Sequence, residues 1–427
     1  VLVKDFKMHR NVFYASYSES LNFFGKSSPR KLAEQFGTPL YIYNERILRE
    51  RCREIKSLSP HPNLYAHFSA KANANPSLLK IIREEGLRVD AMSPGELFLE
   101  EQAGFTPKEI IYICNNVSEE ELRIPLSKGL LIGVDSLAQM DALGRINPGG
   151  KAMNRFNPGI GAGHRQRVIT AGSQTKFGIG RDDLPALREI LKRHGLTLAG
   201  INQHIGSLFM GAQGYLDAME VLLEVAEEFL PQLSVVDFGG GFGIPYHKYD
   251  QQPRLDMAEL GRGMHELISK WAEKHDYKGK FIIEPGRYVV AECGLLLGRV
   301  TATKNNGPIR FVGTDLGFNV LARPVLYDSY HDIEVYREGA PETEQGMPQT
   351  LVGNICESGD ILAKDRLLPE LREGDLLGAL DAGAYGYAMS FPYTQRLRPA
   401  EVLIDQNGEP RLIRRRETVE DLLHLLP

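Results

Sequence analysis

From about Leu64 to Glu284, apolar runs of strand length alternate strictly with runs of helical periodicity, and few architectures satisfy that order. Candidate strands end near Lys71, Ser93, Cys114, Asp135, Asn157, His204, Gly239 and Glu284. Helical runs fall between them, among them Gly95–Ala103, Glu119–Lys128, Leu184–His194, Tyr215–Phe229 and Met257–His275. Eight β-then-α units over about 220 residues predict an α/β fold whose core is a (β/α)8 TIM-like barrel. The fifth unit is the least regular: its strand reads as Met153–Phe156, and a long loop precedes the next helix.

In front of the barrel, Ser28–Gly37 reads as a helix with a serine cap, Pro29 in its first turn and a glycine stop. Thr38-Pro39 then leads into a strand, Leu40–Tyr43, and a long helix to about Leu58. Beyond Glu284 the texture changes. Short β-rich runs (Val289–Ala291, Gly298–Ala302, Ile309–Gly313, Gln349–Val352, Leu376–Leu380) are separated by Pro/Gly-rich links, and helical periodicity is largely absent until Thr418. These predict a second, all-β domain. With 427 residues the chain exceeds what one core usually supports, and the expected division is 36–290 for the barrel and 1–35 with 291–427 for the β-rich domain.

Fifty basic against fifty-five acidic side chains leave a net charge of −5, which argues against nucleic acid or a polybasic membrane surface as partner. No apolar run approaches the ~18 residues of a membrane span, and Val1–Met8 lacks the apolar core of a secretory signal. Cys52, Cys114, Cys293 and Cys356 are far apart and form no CxxC pair, so no metal site or disulfide framework is expected and a cytoplasmic location fits.

A barrel of this kind concentrates function at the C-terminal ends of its strands. Lys71 stands at the end of the first, in Ser69-Ala70-Lys71-Ala72-Asn73. A lysine there is either a solvated strand terminus or, with one side desolvated, a Schiff-base amine. His204, in Gln203-His204-Ile205-Gly206-Ser207, is either a satisfied core residue or a ring laid flat on a planar cofactor, and Ser207 adds a hydroxyl. Gly239-Gly240-Gly241 after the seventh strand is either a tight turn or a set of amides converging on a phosphate. Glu284-Pro285-Gly286-Arg287 after the eighth supplies more amides, an acid and a base, or only a strand-end ion pair. Together, an amine, a phosphate nest, a flat aromatic partner and an acid match the needs of pyridoxal 5'-phosphate. An acid on the pyridine nitrogen keeps it protonated and able to absorb an electron pair, so Glu284 points to decarboxylation rather than racemisation.

Three glycine-rich turns in the β-rich part, Asp315–Tyr327 with Arg323, Val352–Asp360 with Cys356 and Glu357, and Asp381–Tyr387 with Tyr385, either carry functional side chains or show ordinary loop polarity, with Cys356 a small buried residue. From Ser28 to Arg414 these motifs, in this order, make the chain resemble the fold-type-III pyridoxal-phosphate decarboxylases. The resemblance implies that Lys71 binds the cofactor covalently, His204 stacks on its ring, Glu284 pairs with the ring nitrogen and Asp90 lies beside the lysine. It implies a phosphate held by Gly239, Gly240, Gly241, Gly286 and Arg287, with Ser207 and Tyr385 assisting. Arg287, Arg323 and Tyr327 would grip the substrate's far carboxylate, with Tyr385 also near the substrate. Glu357 would take its far ammonium, and Cys356, from a neighbouring subunit of a homodimer with shared active sites, would protonate the carbanion. The family's ornithine-acting members carry Asp after the cysteine. Here Glu357 follows Cys356 and both arginines are present, which favours a substrate with two amino-acid ends. The implied reaction is decarboxylation of meso-2,6-diaminopimelate to L-lysine and CO2. The alternative is a sibling acting on D- or L-ornithine, lysine or a carrier-tethered amino acid. Departures from the family pattern are Ser69 for Val, Leu208 for Gln, and Tyr393-Thr394 for Tyr-Asn in the closing motif.

Overall fold

The computed structural model describes residues 11–14, 16–159, 175–341 and 343–426; Val1–Met8 and most of the loop after the fifth predicted strand lie outside them. Eight parallel strands close into one barrel: β1 (Leu64–Ser69), β2 (Arg88–Ala91), β3 (Ile110–Ile113), β4 (Ile132–Val134), β5 (Lys151–Arg155), β6 (Thr197–Asn202), β7 (Val235–Asp237) and β8 (Lys280–Ile283). Each pairs with the next, and β8 returns to β1 with Phe281 opposite Leu64 and Ile283 opposite Ala66. Every predicted strand end falls one or two residues past the observed one, so the residues singled out there stand just above the barrel rim. Inside, Ile111, Met153, Val235 and Ile282 pack into an apolar cluster that fills the barrel's interior.

Outer helices follow the strands: α1 (Pro76–Glu84), α2 (Pro94–Gln102), α3 (Glu119–Ser127), α4 (Leu137–Ile146), α5 (Leu184–His194), α6 (Gln213–Glu227) and α7 (Met257–Lys274). The caps are written in the sequence. Asn75, Ser93, Ser118 and Ser136 each accept a backbone N–H of the following turn, and proline opens α1 and α2. The eighth unit departs from expectation, because β8 is followed only by the short helix Arg287–Val290. Its place is taken from in front of the barrel by the helix Glu45–Lys56. There Arg49 and Arg53 pair with Glu85 beyond α1 (2.9 and 2.8 Å), and Glu54 accepts from Tyr288 Oη at 2.8 Å. Val289 and Val290, read as part of a β run, are therefore helical. The Val289 N–H donates to Gly286 O at 3.1 Å, a local turn bond in place of a sheet partner.

The second unit has its own mixed sheet. Its strands run in the order Ile361–Leu368, Met347–Val352, Ile309–Thr314, Gly294–Asn306, Leu40–Asn44, Ala400–Ile404, Pro410–Arg414. Ile333–Tyr336 pairs with Leu376–Ala379, which in turn pairs with Gly294–Asn306. Leu40–Asn44 is buried along its whole length. It lies antiparallel to Gly294–Asn306 and parallel to Ala400–Ile404, so the barrel unit begins at Leu48 instead of 36. Residues 246–252, following β7, also belong to the second unit, which the expected division did not include. The predicted helix at Ser28–Gly37 is present as Pro29–Phe36, capped by Ser28 and stopped by Gly37 at φ 74°. Among the described residues no helix is long and apolar enough to cross a membrane.

Candidate active site

A cavity at the C-terminal rim of the barrel is lined by Lys71, Asp90, Arg155, His204 and Glu284, with Met92, Ile113 and Phe177 among its walls. Lys71 is carried by a single 3-10 turn, Ala70–Ala72, directly after β1. Asp90, in β2, accepts from Ser69 Oγ at 2.9 Å, and the same hydroxyl lies 3.3 Å from the Glu284 carbonyl oxygen. Ser69, a departure from the family pattern, thus ties β2 and β8 to the turn that bears the lysine. Burial pushes the Asp90 carboxyl up, and the neighbouring Lys71 charge opposes that shift.

Glu284 stands one residue past β8 and is 5% exposed. Burial, then the nearby charges of Asp237 and Asp90, push its carboxyl well above the usual carboxylate range. Asp237, at the end of β7, is pushed up to about 7, chiefly by burial. Each carboxyl lies in the other's field. Buried acids, Asp90, Asp135, Asp237 and Glu284, surround two cations, Lys71 and Arg155. Glu284 Oε1, like Asp237 Oδ2, has no hydrogen-bond partner among the described residues. A protonated pyridine nitrogen would supply the Glu284 oxygen with a donor.

His204 follows β6. Burial, then the charges of Lys71 and Arg155, hold its imidazole well below its usual pKa. Its Nδ1 accepts the Gly240 N–H at 3.2 Å, which fixes a neutral ring protonated on Nε2. The glycine run is crowded by neighbouring backbone: a Cβ at Gly239 would lie 2.1 Å from the Gln203 oxygen, and one at Gly240 1.9 Å from the Glu284 oxygen. The expected phosphate amides divide accordingly. Gly239 N–H is bound to Asp237 Oδ1 (2.9 Å) and Gly240 N–H to His204, whereas Gly241 and Gly286 N–H have no partner among the described residues. Arg287 Nη2 donates to Ser207 Oγ at 2.9 Å, bringing a guanidinium and a hydroxyl together. The residues fit pyridoxal phosphate: an amine, an unpartnered acid oxygen, a neutral flat ring and unbound amides beside an arginine occupy one barrel rim.

Two residues of this cluster were not singled out from sequence. Asp237 is the strand residue that anchors the glycine turn. Arg155 ends β5, with its guanidinium over the Phe177 ring at 4.4 Å and the charges of Glu284, Asp135 and Asp237 supporting it. A charged residue at the end of a strand was the available signal for both.

The remaining predicted residues lie in the second unit. Arg323 is 2% exposed and opens the short helix Arg323–Tyr327, leaving Tyr327 half-buried at its other end. Cys356 and Glu357 sit on an exposed loop shaped by Asp360, whose carboxylate accepts from Phe318 N and Ile355 N (2.7 and 2.8 Å). Tyr393 Oη donates to Glu357 at 2.5 Å, so this departure from the family pattern touches a proposed substrate residue. Tyr385 has φ 57° in its glycine-rich turn. Cys52, Cys114 and Cys293 are buried; burial pushes the Cys52 and Cys114 thiols up to about 12 and leaves them inert.

Residues 45–291 match the family described as pyridoxal-dependent decarboxylase, pyridoxal binding domain. The chain is 39% identical over 407 residues to a diaminopimelate decarboxylase of Methanothermobacter thermautotrophicus, covering 93% of this chain and 94% of that one. To the diaminopimelate decarboxylase of Escherichia coli K12 it is 34% identical over 418 residues, covering 92% and 95%. A crystal structure of diaminopimelate decarboxylase from Helicobacter pylori complexed with L-lysine superposes with a TM-score of 0.84 at 27% identity, covering 93% of this chain and 99% of that one. The chain belongs to the pyridoxal-dependent decarboxylases, within the diaminopimelate decarboxylase family.

Proposed function

We propose that this enzyme removes the carboxylate at the D-configured end of meso-2,6-diaminopimelate as CO2 and releases L-lysine. The observation that carries the reading is Glu284, a buried acid with an unpartnered oxygen on the same rim as Lys71. Pyridoxal phosphate, when bound, accepts the electron pair set free at Cα. Lys71, on the cavity wall, would hold it through its amine. Glu284 keeps a proton on the ring nitrogen, which Asp237 and Asp90 favour by crowding negative charge around it. His204, neutral and held by Gly240, packs on the ring without competing for its charge. Gly241 and Gly286 N–H, with Arg287, Ser207 and Tyr385, take the phosphate.

In the second unit, Arg323 and Tyr327 take the far carboxylate together with Arg287, and Glu357, beside Cys356 on one exposed loop and so supplied with it, takes the far ammonium. Two guanidiniums suit a carboxylate that must be held and kept. Cys356 of the partner subunit returns the proton to Cα, in a cytoplasmic homodimer. The test is CO2 release from meso-, LL- and DD-diaminopimelate, lysine and ornithine with cofactor supplied. Turnover is expected on the meso compound; equal or better turnover on ornithine or lysine would assign the enzyme to a sibling activity. Lys71→Ala should lose the visible absorption of bound cofactor, and an unchanged spectrum would refute the cofactor site.

A further inference from the structure

Gripping a carboxylate requires that the guanidinium of Arg323 be aimed before the substrate arrives. Arg323 Nη1 lies 2.8 Å from His331 Nε2, and Nη2 lies 3.4 Å from Ser329 Oγ. The guanidinium also lies over the Tyr246 ring, 4.9 Å from its centroid. On the other side of the imidazole, Nδ1 is 2.6 Å from the Leu380 carbonyl oxygen. A guanidinium only donates and a carbonyl only accepts, so the ring has one arrangement: hydrogen on Nδ1, lone pair on Nε2, no net charge.

The ring itself is fixed from several sides. Tyr246 meets it edge-on (centroids 5.4 Å apart, 79°), and Arg366 Nη2 donates to the His331 carbonyl at 2.8 Å. The next residue, Asp332, accepts from Tyr330 Oη and Lys248 N, both at 2.7 Å. The histidine is 1% exposed, so no solvent competes for Nε2.

We infer that His331 is the positioning residue for Arg323, a neutral acceptor that orients the guanidinium while taking none of its charge, and so sets the preference for ligands that keep a far carboxylate. An acid in this place would orient Arg323 equally well but neutralise it. The inference rests on the assignment of Arg323 to the far carboxylate and deepens it.

Two substitutions separate the ring's bonds. His331→Asn can still donate to Leu380 O but is too short to reach Arg323, whereas His331→Gln keeps an acceptor near the position of Nε2. For His331→Asn, KM for meso-diaminopimelate should rise about tenfold with kcat little changed, the loss of one charge-assisted contact. In calorimetry on the holoenzyme, the Kd for L-lysine, which keeps a carboxylate, should rise in parallel, while that for cadaverine, which has none, should not. His331→Gln should recover KM to within about threefold of wild type, as expected for a retained acceptor. Arg323→Ala is measured alongside. If it leaves KM unchanged, the grip assigned to Arg323 fails; if it raises KM and His331→Asn does not, only the role of His331 is overturned. Should His331→Asn fail to retain cofactor, His331→Gln decides, and a KM as high as that of Arg323→Ala overturns the proposal.

Discussion

Glu100, on α2, has no exposed surface, and neither of its carboxyl oxygens has a hydrogen-bond partner among the described residues. Burial, followed by the charges of Asp90, Glu96 and Glu101, pushes it up to about 9. Its folded pKa therefore lies above its unfolded one. Below about pH 4, near the unfolded value for a carboxyl, the proton is bound in both states and the group contributes nothing. As pH rises toward 9 the unfolded chain releases the proton first, so the native state loses stability relative to a neutral isostere. Glu100→Gln should match the wild type in thermal melting near pH 4 to 5 and then exceed it progressively up to pH 9, by an amount on the order of a few kcal/mol. A gap that does not change with pH would show that the carboxyl is not the cause. Glu96, one turn earlier, is pushed up to about 7 mainly by burial, with Asp90 adding to it, so Glu96→Gln should show a smaller effect in the same direction.

The turn after β7 is the element on which cofactor binding most depends, because three neighbouring segments meet its backbone at close range. Gly239 O accepts from Tyr215 Oη and from Glu284 N (both 2.9 Å), and Gly241 O accepts from Phe209 N at 3.0 Å. Gly240→Ala would place a methyl on the Glu284 carbonyl and force β8's end, with its acid, away from the turn. It should cost several kcal/mol of stability, on the order of a badly overpacked core, and weaken cofactor retention further. Gly129→Ala serves as contrast: its φ of 72° strains an alanine, but nothing lies within 4 Å of the added carbon. That change should cost only about 1 kcal/mol and leave cofactor absorption intact. Equal losses in both variants would mean that backbone conformation, not close approach, requires the glycine. Elements such as this were legible in the sequence because local chemistry specifies them: Ser93 and Ser118 cap their own helices, and apolar runs end where polar residues reach the rim. What could not be read depended on partners distant in the chain. Leu40–Asn44 falls on the barrel side of the expected boundary at residue 36 until Gly294–Asn306 and Ala400–Ile404 are seen on either side of it. Likewise, nothing near Glu45–Lys56 announces that it completes a ring of helices begun by α1. Which of three glycine amides stays unbound turned on His204, some 35 residues earlier in a chain where such contacts are set by the closed barrel.

At the scale of the whole molecule, the chain has two compact units, one built on a closed barrel and one on a mixed sheet. The barrel carries Lys71 and the acids; the second unit carries Arg323, Glu357 and the exposed thiol Cys356. A donor that protonates carbon must be screened from water at the moment of transfer, or solvent would do the same work without stereochemical control. Cys356 is exposed in the single chain, and in the proposed homodimer assembly would bury it, the same loop of each copy serving the site of the other. Lys71→Ala and Cys356→Ala homodimers should each be almost inactive, the first without bound cofactor and the second with it. Mixed, dissociated and reassociated, half the dimers carry one copy of each, and in those dimers one of the two sites draws an intact lysine from one chain and an intact cysteine from the other. Activity should then recover to about one quarter of wild type, as symmetric exchange requires. If the mixture stays at the sum of its parts while light scattering shows that hybrids have formed, the cysteine serves the site of its own chain, and the shared-site assembly must be given up.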